Sequence, residues 1–153
     1  MTAESSPHRY GPSFAQSRTK ARRAALQAIY QWQIGQQPLR EIEAWFLAEQ
    51  DLRGADIDYF RELIHQIPHH LDSVDQAILS STKRGMSDLD IVELTALRIG
   101  VYELLYRPDI PYRVVIDEVI ELVKRFGAEK GHLFVNGVID QLAHQCRPSE
   151  MRE

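Results

Sequence analysis

The stretch from Ser87 to Tyr106 limits the possible folds more than any other part of the chain. Leu89, Ile91, Val92, Leu94, Ala96, Leu97, Ile99, Val101, Leu104 and Leu105 leave it no fully polar face. A helix that is apolar nearly all round has to be buried on every side. Other elements must therefore surround it. Ser87 is placed to cap its start, and Gly100 would let a neighbour approach closely. No apolar run approaches the ~20 residues of a membrane span, so the surroundings are other parts of a globular protein.

Helical periodicity supplies those surroundings. A first helix is predicted from Arg18 to Ile34, with Ser17 as its cap. Ala21, Ala25, Ala28, Ile29 and Trp32 form one face of it; Lys20, Arg23, Gln27, Tyr30 and Ile34 point the other way. Further helices are predicted over 39–50, 56–67 and 71–82. Pro68 stops or kinks the third, and Gly85 follows the fourth as a breaker. After the central helix, Pro111 opens a sixth with a stripe of Val115, Ile116, Val119, Leu122, Val123 and Phe126. A seventh runs from Gly131 to Gln145, with Phe134, Val135, Val138, Ile139 and Leu142 turned inward. Strand signals are weak throughout. The expectation is an all-α protein of about seven helices in two small helical bundles, 17–84 and 85–146, packed as one domain of residues 17–146. Residues 1–16 read as a loose basic N-terminal tail and 147–153 as a C-terminal tail.

Composition narrows the class. Of 153 residues, 44% are hydrophobic and 26% charged, so the chain is long and apolar enough to bury a core unaided. The single cysteine, Cys146, forbids an internal disulfide, and no apolar signal core precedes the helices. Both features point to the cytoplasm. Charge is unevenly spread. Residues 1–40 carry six basic groups against one acid, whereas 41–153 carry twelve against twenty-one. A basic arm on an acidic body can meet phosphates while the body repels them elsewhere.

No catalytic constellation is evident. His65 and His69 are spaced to share a helix face beside His70, but no third metal ligand accompanies them. His144 and Cys146, two apart on a helix, face different ways. Gly127, Gly131 and Gly137 lack the spacing and the preceding strand of a phosphate-cradling loop. No cofactor is expected. Binding is the more promising theme. Tyr30 lies on the polar side of a basic helix, where it could stack an unpaired base while Lys20 and Arg23 hold phosphates, or simply cover another helix. Phe134 has the same choice between core and base. Asn136 could read a base edge or cap backbone, and Glu93 reads as an acid compensating the dipole at its helix start.

Five blocks in order, RRAALQAIYQWQ (22–33), DYFRELI (58–64), LTALRIGVYEL (94–104), DIPYRVVIDEVIELVKRFGAE (109–129) and FVNGVID (134–140), resemble the NusB family of transcription antitermination factors. The resemblance spans Arg18 to the last helix. It implies two helical bundles packed at a steep angle and no enzymatic activity. It implies a partner, the small-subunit ribosomal protein NusE, and joint binding to boxA RNA in nascent transcripts, notably of ribosomal RNA operons. In that assembly RNA polymerase is helped past terminators. The resemblance also implies an RNA role for Arg18, Lys20, Arg22, Gln27 and Tyr30, extended to Phe134 and Asn136, and places Glu93 and Tyr30 at the surface shared with NusE. Thr19 interrupts the family's basic run. Arg23 stands where relatives often have an acid and adds a further cation. Lys130, where some relatives have aspartate, would add positive charge to a helix start beside the RNA, and Leu133 replaces a lysine of some relatives. Two other readings remain open. One is the RNA-binding helical module of certain ribosomal RNA methyltransferases, which would need a second domain. The other is a helix-bundle adaptor that binds no RNA.

Overall fold

A computed structural model of the chain describes residues 13–151. Among them are seven α-helices and no strand, as the periodicity predicts. They are α1 (Phe14–Ile34), α2 (Leu39–Glu49), α3 (Ile57–His69), α4 (Leu71–Ser80), α5 (Ile91–Tyr106), α6 (Tyr112–Phe126) and α7 (Gly131–Cys146). Short 3-10 turns occupy Met86–Asp88 and Pro148–Met151. The chain forms two compact units that divide between Gln66 and Ile67.

In the N-terminal unit, α1 presents Ala21, Ala24, Ala25, Leu26, Ala28 and Ile29 as its buried face. This run of small residues permits close approach, and α1 packs against α2. The α2 residues Ile42 and Phe46 are buried, and the Phe46 ring lies 6.0 Å from that of Phe60 on α3. Asp56 begins α3 with one carboxylate serving two ends. Its Oδ1 accepts from the Tyr59 backbone N–H at 3.0 Å, and its Oδ2 accepts from Arg18 Nε at 3.0 Å. Glu43 is buried on α2 and meets Arg61 at 2.8 Å and His65 at 2.9 Å.

The first helix begins earlier than its periodicity suggests. Ser13, not Ser17, is the N-cap, and Ser13 and Gln16 close a reciprocal capping box. Residues 14–16 are thus helical. The rest of the expected tail, residues 1–12, lies outside the described residues.

In the C-terminal unit, α5 is the centre. Leu94, Ala96, Leu97, Ile99, Val101, Tyr102 and Leu104 are all buried, and α4, α6 and α7 pack around them. The α5 cap is Asp90, not Ser87, which lies in the preceding 3-10 turn; Asp90 accepts from the N–H groups of Val92 and Glu93 at 3.0 and 3.1 Å. A Cβ on Gly100 would stand 2.3 Å from Val119 Cγ2, so α5 and α6 touch where a side chain is missing. Arg98 and Asp75 join α5 to α4 through two bonds of 2.9 and 2.8 Å. These bonds, with Val74 and Ile78 buried beside them, explain why α4 falls in this unit and the division precedes Gly85. Residues 147–151 are tied to the C-terminal unit. Arg147 is buried and donates to the carbonyl oxygens of Glu103, Leu104, Arg107 and Ile110 at 2.8–3.1 Å. Glu150 accepts from the Tyr112 N–H at 3.1 Å and pairs with Arg147.

Candidate nucleic-acid interface

The basic residues of α1 separate into two groups. Arg18 and Arg22 are four apart and share the side of the helix that carries Ala25 and Ile29. The Arg18 guanidinium pairs with Asp56 and lies 4.0 Å from the Tyr59 ring centroid and 4.6 Å from that of Phe14. Arg22 is only 3% exposed, with its guanidinium 5.5 Å from the same Tyr59 ring. Both are engaged within the protein, Arg18 by Asp56 and both by the Tyr59 ring.

Lys20 and Gln27 are exposed, while Arg23 and Tyr30 are half-buried. Lys20, Arg23 and Gln27 line a cleft with Gln50, Asp51 and Arg53 of the α2–α3 connection. Arg53 forks onto Asp51 at 2.9 Å, and this arginine holds the Asp51 carboxyl well below the usual carboxylate range, with help from Lys20. The Asp51 carboxylate therefore stays ionised at any physiological pH. The cations of the cleft outnumber its one acid, which suits a phosphate backbone.

The other predicted residues gather at the start of α7. Lys130 is the N-cap residue and adopts a left-handed backbone, φ 70°. Lys130 and Asn136 are exposed and Phe134 is half-buried. Leu133 is 62% exposed. The carboxylate of Glu93, from the first turn of α5, lies against Gly131. Glu93 is 8% exposed, and its pKa is raised because burial disfavours its charge and Asp90 repels it; Arg84 opposes the shift. Glu93, Lys130, Phe134 and Asn136 thus belong to one unit, whereas Lys20, Arg23, Gln27 and Tyr30 belong to the other.

Two residues here have contacts that the sequence pattern does not indicate. Arg84 places its guanidinium 4.1 Å from the Phe134 ring centroid. Gly131 makes the room that Glu93 fills. Nothing in the spacing joins Arg84 to a ring fifty positions on. Among the described residues, no group of three or more histidines, cysteines, aspartates or glutamates could hold a metal ion.

Comparison with known proteins bears on this arrangement. The model of the NusB family matches residues 19–144. The transcription antitermination protein NusB of Nitrosococcus oceani is 48% identical over 135 residues, covering 88% of this chain and 90% of the relative. That of Pseudomonas fluorescens is 46% identical over 141 residues, covering 92% and 85%. Among solved structures, T. maritima NusB is similar with a TM-score of 0.75 and 28% identity, over 93% of this chain and 99% of that one. A crystal structure of the antitermination factors NusB and NusE in complex with double-stranded RNA gives a TM-score of 0.74 and 28% identity, over 83% and 96%.

Proposed function

The chain belongs to the NusB family, and from that premise we propose that it is an RNA-binding transcription antitermination factor that acts without catalysis. With NusE it holds boxA RNA of nascent transcripts, notably those of ribosomal RNA operons, and helps RNA polymerase read through terminators. The observation that carries the reading is the start of α7, whose N-cap and first two turns hold an exposed lysine, a half-buried aromatic ring and an exposed amide, with the buried carboxylate of Glu93 against Gly131.

Each group has a physical task. Lys20 and Arg23 give salt-dependent phosphate contacts. Phe134 and Tyr30 offer faces on which unpaired bases stack. Asn136 and Gln27 read base edges. The helix start at Lys130 presents positive potential to a phosphate. Glu93, with Tyr30, faces the protein partner, because a carboxylate held in a poorly solvated place gains from a partner's cation. Among the described residues no helix is long and apolar enough to cross a membrane, and the protein acts in the cytoplasm, where transcripts emerge.

The test is a titration of the full chain with labelled boxA RNA, with and without NusE, at several salt concentrations. Each ligand should tighten the other by the same factor, since coupling is reciprocal. Lys20→Ala should reduce the salt slope by about 0.7, the contribution of one single-strand phosphate contact. Arg18→Ala should instead lower the melting temperature. An absence of salt-dependent RNA binding would leave a helical adaptor and overturn the reading.

A further inference from the structure

Arg84 sits outside any helix, between α4 and the turn at Met86–Asp88. Its backbone N–H is held by Thr82 Oγ1 at 3.1 Å, while its side chain is exposed. Among the described residues no carboxylate forms an ion pair with it. Its charge reaches Glu93, yet the guanidinium rests on the Phe134 ring, 4.1 Å from the centroid. A flat cation on a ring face occupies the place that an unpaired base would take. The same guanidinium is also a fork of donors shaped for phosphate, and it is weakly hydrated enough to leave one partner for another.

We propose that Arg84 is an RNA-binding residue: in the free protein it covers the outer face of Phe134, and when a base stacks on that ring the guanidinium turns to a phosphate of the same strand. The inference rests on the RNA-binding reading above and adds a residue to it. The exchange keeps the ring covered and out of water before RNA arrives. It also supplies a cation next to the stacked base once RNA is bound. A lysine at position 84 would keep the charge but would cover the ring poorly and could not fork onto phosphate.

The experiment titrates fluorescein-labelled boxA RNA into the full chain with NusE present, for the wild type, Arg84→Ala and Arg84→Lys, across a range of potassium chloride. Arg84→Ala should weaken binding about tenfold, which corresponds to 1.4 kcal/mol, and should lower the salt slope by about 0.7. Arg84→Lys should retain the slope and lose part of the affinity. Melting temperatures should be unchanged, because the side chain is exposed. The Phe134 ring proton resonances should shift between wild type and Arg84→Ala without RNA. Wild-type affinity and slope in Arg84→Ala would overturn the proposal while leaving the functional reading intact. Tighter RNA binding by Arg84→Ala would also overturn it, showing the arginine to be only a cover. So would a loss confined to NusE binding measured without RNA, which would make Arg84 a protein contact. Failure of the wild type itself to bind RNA would remove the functional reading and this proposal together.

Discussion

A Cβ on Gly131 would stand 2.6 Å from Oε2 of Glu93, so the carboxylate of α5 occupies the space that a side chain at the start of α7 would need. The atom in the way is the end of a flexible side chain, and it can move. Gly131→Ala should therefore cost little stability, within about 1 kcal/mol, but should push Glu93 out of place. NusE affinity, measured by calorimetry, should fall. If affinity holds while the melting temperature drops by several degrees, Glu93 is structural and not a partner contact.

Burial and the neighbouring Asp90 raise the Glu93 pKa above its ordinary value, and Arg84 only partly offsets them. The folded state thus holds this proton more tightly than the unfolded state. The stability it contributes is fully present below the ordinary glutamate range, about pH 4.3, and is lost as pH rises through the raised value. Glu93→Gln should remove that loss. The variant should melt at an equal or higher temperature than wild type at neutral pH, with the difference vanishing in acid, and should bind NusE more weakly. A lower melting temperature at neutral pH, measured by circular dichroism, would show that the ionised carboxylate is stabilised by the fold.

Arg147 satisfies four carbonyl oxygens that follow or close the end of α5. Arg147→Ala leaves these acceptors buried without a charged donor and opens a gap. Hydrogen bonds to charged groups are worth about 1.5–3 kcal/mol, so the loss should reach about 3 kcal/mol in urea denaturation with an unchanged slope. A midpoint equal to that of wild type would refute the assignment.

Lys130 carries a left-handed backbone, φ 70°, which disfavours a residue with a Cβ by roughly 1 kcal/mol. Lys130→Gly separates the backbone from the charge. It should raise stability by up to about 1 kcal/mol and lower RNA affinity by a similar amount at low salt. Identical binding curves at low ionic strength would make Lys130 a turn residue only.

The helices were legible because burial imposes a period. A helix apolar on all sides could only be central, and α5 is. The same period, read for charged residues, also carried a warning that was easy to miss. Arg18 and Arg22 fall in line with Ala25 and Ile29, and that line is the buried side of α1. A basic residue on an apolar stripe is one whose charge has a partner inside, here Asp56 and the Tyr59 ring. Ser13 was hidden because the first turn of α1 has no stripe; only the Ser13–Gln16 spacing marks it. Arg147 and Arg84 could not be found by spacing at all. Their contacts join positions about forty and fifty residues apart, and only the fold brings them together.

The capping box at Ser13 has a kinetic consequence. It sets the start of a 21-residue helix, roughly 31 Å long, so Lys20 and Arg23 are carried on a preformed rod. A disordered arm would have to be frozen on association, losing about 1–2 kcal/mol of backbone entropy for each residue ordered. From Phe14 onward that ordering precedes the encounter with RNA. Capture by these two cations is then a docking event, governed by long-range attraction and ionic strength and not by the folding of the segment that bears them.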